Sequence, residues 1–253
     1  SASPGPVSRL FPSYTEALIN LAEQDQSIVA LDADLVLDMG LEAFRDQFPN
    51  RFVECGIAEM DMVSQAGGMA LNGLKPIAHS FSCFLSTRPN EQIYNNATEG
   101  TQIVYVGGLS GVLPGGPGHS HQSVREISCV GSIPNMMVVE PSHPDEVATL
   151  LDWCVKPHTG SSFMRLVSIP FADKHSDPED WNPVKGYGYK VRSGHGKIAI
   201  ISAGLVGVSQ SIGAADLLSA DGVDVSVFNL PFLNHVDLDW LGAELRGYEV
   251  VIV

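Results

Sequence analysis

The sequence is poor in basic residues. Its 253 residues include 14 Lys and Arg against 29 Asp and Glu, so the formal net charge at pH 7 is −15. An acidic surface of this kind repels phosphate backbones, and nucleic acid is therefore not expected as a partner. Any anionic ligand would have to be held by a local group of cations.

Long apolar runs and paired cysteines are also missing. No stretch reaches the roughly 18 uninterrupted apolar residues that a membrane span needs. Residues 1–6 lack the charged and apolar regions of a secretion signal, so we expect a cytoplasmic protein. The cysteines form no CxxC pair, which predicts reduced, structural thiols at Cys55, Cys83, Cys129 and Cys154.

What is present is an alternation of β-branched apolar runs with helical patterns. Strands are predicted at 27–32, 76–79, 103–106, 136–139, 162–166, 198–202, 223–228 and 250–253. Helices are predicted at 14–24, 57–72, 89–99, 144–156 and 206–220. This order is typical of a doubly wound α/β fold with a mostly parallel sheet.

The chain divides into two predicted domains. The first covers residues 1–175, and residues 176–194 are a linker rich in Asp, Pro, Gly and Trp. A second α/β domain, 195–253, ends on a buried-looking strand. Such domains rarely end without a covering element, so we expect this one to be incomplete and the chain to be truncated.

Glu59 lies in a segment, starting at Arg51, that leaves a further short strand and enters the predicted helix 57–72, and it falls in the first turn of that helix. An acid in a first helical turn is stabilised by the macrodipole by about 0.3–1 kcal/mol, without any catalytic function. The segment Gly56–Met62, however, resembles the G-I-x-E-x-x-M signature of transketolases and deoxyxylulose-phosphate synthases. This resemblance implies that Glu59 activates thiamine diphosphate by sharing a proton with N1′ of its aminopyrimidine, and that Ile57 belongs to the cofactor site.

Phe81 and Phe84 follow the predicted strand 76–79. Two aromatics at this spacing could simply belong to a core. In the transketolase family an F-x-x-F at this distance beyond the Glu lines the aminopyrimidine pocket, and the resemblance implies the same for this pair. The third aromatic of many transketolases is replaced by Thr87.

The glycine-rich stretch 107–122 follows a predicted strand. Composition alone favours a mobile turn with two surface histidines. The stretch also resembles the family's G-P-T-H-Q loop, which implies that His121 faces the reacting carbons and exchanges protons with substrate. His119 has no family counterpart and is a second candidate for substrate binding. The family's earlier loop histidine is a glycine here, which argues against ordinary sugar-phosphate binding.

Two arginines and two acids bear on substrate and cofactor. Arg9 and Arg165 approximate arginines that hold the sugar phosphate in transketolases, although a structural salt bridge would explain either. Asp34 matches an acid near the cofactor in the family's S-A-D-L motif. The phosphate-binding Ser four residues later is Asp38 here, so the acceptor is expected to be unphosphorylated or differently anchored.

The G-D-G…N motif that holds Mg²⁺ in thiamine-diphosphate enzymes is missing. The resemblance therefore implies that no metal ligand lies on this chain and that Mg²⁺ is held by a diphosphate-binding partner subunit. The motifs together indicate the pyrimidine-binding subunit of a split transketolase, followed by the start of a transketolase C-terminal domain. An α₂β₂ heterotetramer that moves a two-carbon ketol unit from a ketose to an aldose is expected.

Two other interpretations remain open from the sequence. The β subunit of a 2-oxoacid dehydrogenase E1 shares the fold, the glutamate and the division between chains, although the T-H-Q-like loop favours transketolase. A non-catalytic scaffold or regulatory subunit is the second interpretation, and retention of Glu59 argues against it.

Overall fold

A computed structural model of the chain describes residues 7–172, 175–176, 178 and 181–253. The strands are β1 (Val7–Ser8), β2 (Ile28–Asp32), β3 (Phe52–Glu54), β4 (Lys75–Phe81), β5 (Val104–Gly108), β6 (Met137–Val139), β7 (Ser162–Arg165), β8 (Phe171–Ala172), β9 (Tyr189–Arg192), β10 (Ile198–Ser202), β11 (Val225–Asn229) and β12 (Val250–Ile252). The helices are α1 (Leu10–Gln24), α2 (Glu42–Gln47), α3 (Glu59–Leu71), α4 (Ser82–Leu85), α5 (Asn90–Thr98), α6 (Glu126–Gly131), α7 (Pro144–Val155), α8 (Gly204–Ala220) and α9 (Leu238–Glu244).

The larger sheet has six parallel strands in the order β3-β2-β4-β5-β7-β6. Successive side chains in a strand point to opposite faces, so each strand feeds two cores. Ala30 and Ile77 pack in one core with α1 and α7, whereas Leu31 and Ala78 pack in the other with α3 and α5. Burial on both faces explains the continuous apolar runs of the sequence and confirms the predicted doubly wound α/β fold.

Helix α1 begins at Leu10, earlier than the predicted range 14–24. Pro12 lies in its first turn, where the missing backbone N–H has no intrahelical acceptor to lose. Leu10, Leu18 and Leu21 are buried along one face of α1, which packs against α7. The added first turn therefore carries core contacts.

The smaller sheet has the strand order β12-β10-β11-β9, with β9 antiparallel to β11 and the other pairs parallel. Its core contains Ile200, Val225 and Val227, with Ala215 of α8 packed against them. Strand β9 lies within the stretch 176–194 that composition suggested as a linker, so part of that stretch belongs to the second sheet.

The segment after β11 forms hydrogen bonds with β6 and so connects the two sheets. The backbone N–H of Glu140 donates to the carbonyl of Pro231 at 3.0 Å, and that of Leu233 donates to the carbonyl of Val138 at 2.8 Å. Gly204, at the start of α8, has φ +66, and a Cβ on it would lie 2.2 Å from the carboxyl group of Glu140. Contacts from the second unit therefore hold the end of β6 and Glu140, the residue that follows it.

The short helices α2, α4 and α6 were not predicted. Each has four to six residues, too few to show a helical period, and such helices form through their tertiary contacts. The four cysteines are free thiols, as predicted, and burial raises the pKa of Cys154 to about 12. Among the described helices, none has the length and apolar character needed to cross a membrane.

Candidate functional site

The predicted site residues lie at or just beyond the carboxyl ends of parallel strands, except Arg9, which precedes α1. In open α/β sheets this edge is where ligands bind. The residues and their strands are Asp34 after β2, Ile57 and Glu59 after β3, Phe81 and Phe84 at and after β4, His119 and His121 after β5, and Arg165 at the end of β7.

Glu59 is the first residue of α3 and is 3% exposed. Its Oε1 accepts a hydrogen bond from Nη1 of Arg88 at 2.6 Å and a longer one from Oγ of Ser80 at 3.5 Å. Because the first N–H groups of a helix point towards its N-terminus, the carboxylate also faces a positive dipole end. Oε2 makes no hydrogen bond to any described residue, so this oxygen remains available to a ligand.

Phe81, Phe84 and His121 form an aromatic cluster next to Glu59. The two phenylalanine rings have centroids 6.1 Å apart, and the imidazole of His121 lies edge-on to them at 5.9 and 5.2 Å. The guanidinium carbon of Arg88 lies 3.8 Å from the Phe84 ring centroid. Arg88 thus connects Glu59 to the aromatic cluster, although no motif had singled it out.

The glycine-rich loop is closed at its base and brings His121 inward. Ser110 and Gly111 bridge to Ser123, and the backbone N–H of His121 donates to the carbonyl of Gly118, whose φ is +78. His121 is half-buried, and its Nδ1 lies 2.9 Å from Oγ of Ser120. His119 is exposed at the surface of the loop and takes no part in the aromatic cluster.

Glu54 organises the loops that carry Asp34 and Ile57. Its Oε1 accepts hydrogen bonds from the backbone N–H of Asp34 at 2.9 Å and of Gly56 at 2.8 Å. Asp34 has φ +62, a left-handed conformation that Asp adopts more readily than most residues. Ile57 is 72% exposed beside the buried Glu59. Sequence reasoning missed Glu54 because no motif marks its hydrogen bonds, which are to the backbone N–H groups of Asp34 and Gly56.

Arg9 and Asp38 lie beside Phe81 in a small cleft. Nη1 of Arg9 donates to the carbonyl of Ser168 at 2.8 Å. The cleft has a volume of about 220 Å³ and is lined by Arg9, Phe11, Asp38, Phe81, Leu109 and Ser168. Phe81 belongs both to this cleft and to the aromatic cluster, so the two are adjacent.

Arg165 is buried between two carboxylates. Its Nε and Nη2 donate to Oε1 of Glu126 at 3.1 and 2.7 Å, and its Nη1 donates to Oε2 of Glu140. The same Glu126 oxygen accepts from the backbone N–H of Gly111 at 3.0 Å. The salt-bridge alternative for Arg165 fits this arrangement, in which the arginine supports the base of the histidine loop.

Asp32 lies beneath the site at the end of β2 and is fully buried. Its pKa is raised to about 7, mainly by burial; the N–H of Leu35 on Oδ2 opposes this rise and the neighbouring Glu54 carboxylate contributes to it. Among the described residues, no group of three or more His, Cys, Asp or Glu side chains is arranged to hold a metal ion.

The chain matches the family model of the transketolase pyrimidine binding domain over residues 11–167. It therefore belongs to the transketolase family, as the sequence motifs indicated. This family implies thiamine diphosphate as cofactor. The residues present fit its aminopyrimidine ring, because a buried carboxylate with one unbonded oxygen lies beside two phenylalanine rings.

Of two curated relatives, one is named as a synthase and the other as a transketolase subunit. The chain is 28% identical over 246 residues to a 1-deoxy-D-xylulose-5-phosphate synthase from Clostridium perfringens (strain SM101 / Type A), which covers 95% of this chain and 38% of the relative. It is 30% identical over 219 residues to a 6-deoxy-6-sulfo-D-fructose transketolase subunit SqwH from Clostridium sp. (strain MSTE9), covering 86% and 66%. The chain thus spans less than two thirds of either relative.

Solved structures show the same fold. A split gene transketolase described as an inactive beta4 tetramer superposes with a TM-score of 0.81 at 25% identity, covering 96% of this chain and 78% of that one. A mutant transketolase from Pichia stipitis in complex with fructose 6-phosphate gives a TM-score of 0.81 at 18% identity, covering 99% and 40%. The second likeness concerns the fold alone.

Proposed function

We propose that this chain is the pyrimidine-binding subunit of a split transketolase, which moves a two-carbon ketol unit from a ketose donor to an aldose acceptor. The observation that carries the proposal is the buried Glu59 at the start of α3, next to the cluster of Phe81, Phe84 and His121. The likeness to a split gene transketolase and to a transketolase subunit supports the division of labour between chains.

Each site residue has a distinct part in this proposal. When bound, thiamine diphosphate supplies the nucleophilic carbon of its thiazolium ring. Glu59 holds a proton at N1′ of the aminopyrimidine, and Phe81 and Phe84 pack against that ring while Ile57 and Asp34 border it. His121 exchanges protons with substrate oxygens, with His119 as a second candidate on the same loop. Arg9 contacts the substrate from the adjoining cleft.

Arg165 acts indirectly in this proposal. Its two glutamate partners leave it little freedom to bind substrate, but Glu126 connects it to the backbone of Gly111. Arg165 therefore positions the loop that carries His121.

A partner chain completes the proposed site. Ile57 and Met60 are 72% and 56% exposed on either side of the buried Glu59, and large apolar side chains around a buried acid suggest a surface that another subunit covers. The partner would bind the diphosphate and hold Mg²⁺, in an α₂β₂ heterotetramer with two sites. The cytoplasmic location stays a prediction from the sequence.

The test compares Glu59→Gln with Glu91→Gln in the complex with the diphosphate-binding subunit, supplied with thiamine diphosphate and Mg²⁺. Both acids lie in the first turn of a helix, but Glu91 is exposed. Loss of a general acid–base group typically costs about 10²–10⁴-fold in rate, so ketol transfer should fall by this factor only in Glu59→Gln. Equal activity of the two variants would show that Glu59 is not catalytic.

The same preparation distinguishes the other interpretations. A wild-type complex that decarboxylates pyruvate or a branched oxoacid, but transfers no ketol group, would be an E1-type enzyme. A complex that binds no thiamine diphosphate in a calorimetric titration would contain this chain as a scaffold or regulatory subunit.

A further inference from the structure

Two arginines near the carboxyl edge of the large sheet, Arg165 and Arg88, are paired with carboxylates. Arg165 is 8% exposed, and its partners Glu126 and Glu140 are 2% and 7% exposed, so this buried cluster holds one positive and two negative charges. A phosphate dianion could take Arg165 only by displacing a carboxylate, which would leave a buried charge without its partner. Arg88 is also paired with Glu59, although its side chain is 39% exposed.

The cleft beside Phe81 carries one charge of each sign. Arg9 and Asp38 both line it, and one guanidinium nitrogen of Arg9 already donates to the carbonyl of Ser168. A phosphate group carries roughly −1.5 to −2 charge at neutral pH and is repelled by nearby Asp or Glu. The cleft is formally neutral, and the whole chain carries −15, so neither attracts a dianion.

The same two side chains suit hydroxyl groups. A carboxylate accepts hydrogen bonds from hydroxyl donors, and those N–H groups of the Arg9 guanidinium that have no acceptor among the described residues can donate to hydroxyl oxygens. The remaining walls, Phe11 and Leu109, are apolar and suit the carbon skeleton of a sugar chain.

We propose that the sugars used by this site carry an unphosphorylated polyhydroxyl tail, which binds in the cleft between Arg9 and Asp38. This inference rests on the proposed ketol transfer and specifies its substrate class. Asp38 is the residue that sets the specificity, because its carboxylate accepts from the tail hydroxyls and repels a terminal phosphate.

The experiment uses the complex with the diphosphate-binding subunit and two matched substrate pairs. Donors are D-xylulose and D-xylulose 5-phosphate, with glycolaldehyde as the common acceptor. Acceptors are D-glyceraldehyde and D-glyceraldehyde 3-phosphate, with hydroxypyruvate as the common donor. We expect kcat/KM to be at least about tenfold higher for the unphosphorylated member of one pair or both.

Variants test whether Asp38 is the cause. Asp38→Asn removes the charge and keeps the shape, and Asp38→Ser opens space as well; both should raise kcat/KM for the phosphorylated sugars by about tenfold. Glu42→Gln is the matched control, since it changes the net charge by the same amount at an exposed position on α2, and should leave the preference unchanged.

The failures of the two proposals are distinguishable. If ketol transfer favours the phosphorylated member of both pairs, or uses both members equally, the proposal of an unphosphorylated tail is wrong. The proposed function remains intact in that case. A preference that Asp38→Asn and Asp38→Ser do not alter removes Asp38 as its cause and overturns the inference. Absence of ketol transfer with every pair overturns both proposals.

Discussion

At the scale of single residues, His79 and Tyr14 form a buried polar pair beneath the site. Nδ1 of His79 lies 2.9 Å from the carbonyl of Leu31, and its Nε2 lies 2.5 Å from the hydroxyl of Tyr14. A carbonyl only accepts hydrogen bonds, so Nδ1 carries the proton and Nε2 accepts from Tyr14. Burial lowers the pKa of His79 to about 4, which keeps the imidazole neutral in this arrangement.

Tyr14→Phe should therefore destabilise the chain. The substitution leaves Nε2 of His79 buried without a donor, which typically costs about 1–3 kcal/mol. Urea denaturation followed by circular dichroism would measure the free energy of unfolding. Tyr94→Phe is the control, because Tyr94 is 49% exposed on α5 and should change little. Equal stability of the two variants would mean that the His79 hydrogen bond contributes nothing.

Asp32 makes the stability depend on pH in a defined direction. Its pKa is about 7 in the folded chain against an ordinary 3.8, so the folded state binds the proton more tightly. The contribution of the protonated Asp32 to the free energy of unfolding is fully present below pH 3.8 and is lost as pH rises through 7. The free energy of unfolding falls over this range by up to roughly 1.4 kcal/mol per pH unit.

Asp32→Asn replaces the acid by a neutral isostere and should remove this dependence. The free energy of unfolding of the variant should rise relative to wild type as pH increases from about 4 to 7, as measured by urea titrations at several pH values. His79 has the opposite effect, because its contribution to the free energy of unfolding is lost as pH falls below 6.5 towards 4. This effect is the same in both proteins, so it cancels in the difference between their free energies of unfolding. A constant difference across this range would contradict a raised pKa at Asp32.

At the scale of elements, helix α3 depends on close contact with α5. Gly67 lies where a Cβ would come within 2.2 Å of Oδ1 of Asn96, whose amide donates to the carbonyl of Val63 at 3.0 Å. Because Gly67 has no side chain, Asn96 of α5 can approach closely enough to donate a hydrogen bond to the backbone of α3. This contact fixes the helix whose first residue is Glu59.

Gly67→Ala and Gly68→Ala should have opposite effects on stability. Gly68 is exposed and a Cβ there meets nothing, so alanine should stabilise α3 by about 0.5–1 kcal/mol through its helix propensity. Gly67→Ala forces Asn96 out of place and should lower the melting temperature. Thermal unfolding of both variants measures the difference in melting temperature. A higher melting temperature for Gly67→Ala would show that Asn96 and α5 can shift without loss of stability.

At the scale of the whole molecule, the proposed partner surface surrounds Glu59. Met60→Asp places a charge on that surface, yet an acid in the first turn of α3 suits the helix dipole and should not harm folding. We expect the variant to lose binding to the diphosphate-binding subunit in size-exclusion chromatography. Leu217→Asp, 74% exposed on α8, should bind normally. Assembly of Met60→Asp with unchanged affinity would place the interface elsewhere.

Five strands of the large sheet, β2 and β4 to β7, were predictable because they are buried on both faces and read as apolar runs in the right order, whereas the edge strand β3 is only partly buried. Strand β9 was missed because it lies at the sheet edge, half-buried, in a stretch rich in turn-forming residues. The motifs also singled out Glu59, Phe81, Phe84 and His121, which lie together at the carboxyl edge of the sheet. They did not reveal Glu54 or Arg88, whose contacts join loops distant in sequence.

The sequence by itself determined the fold class, the family and the identity of the residues at the carboxyl edge, because these follow from local pattern and ordered motifs. Only the tertiary structure decided how the charges pair. It placed Arg165 between Glu126 and Glu140 and left Arg9 beside Asp38. The reason is physical: whether a guanidinium is open to a ligand depends on which carboxylates the packed strands bring within hydrogen-bond distance, and residue spacing does not encode that distance.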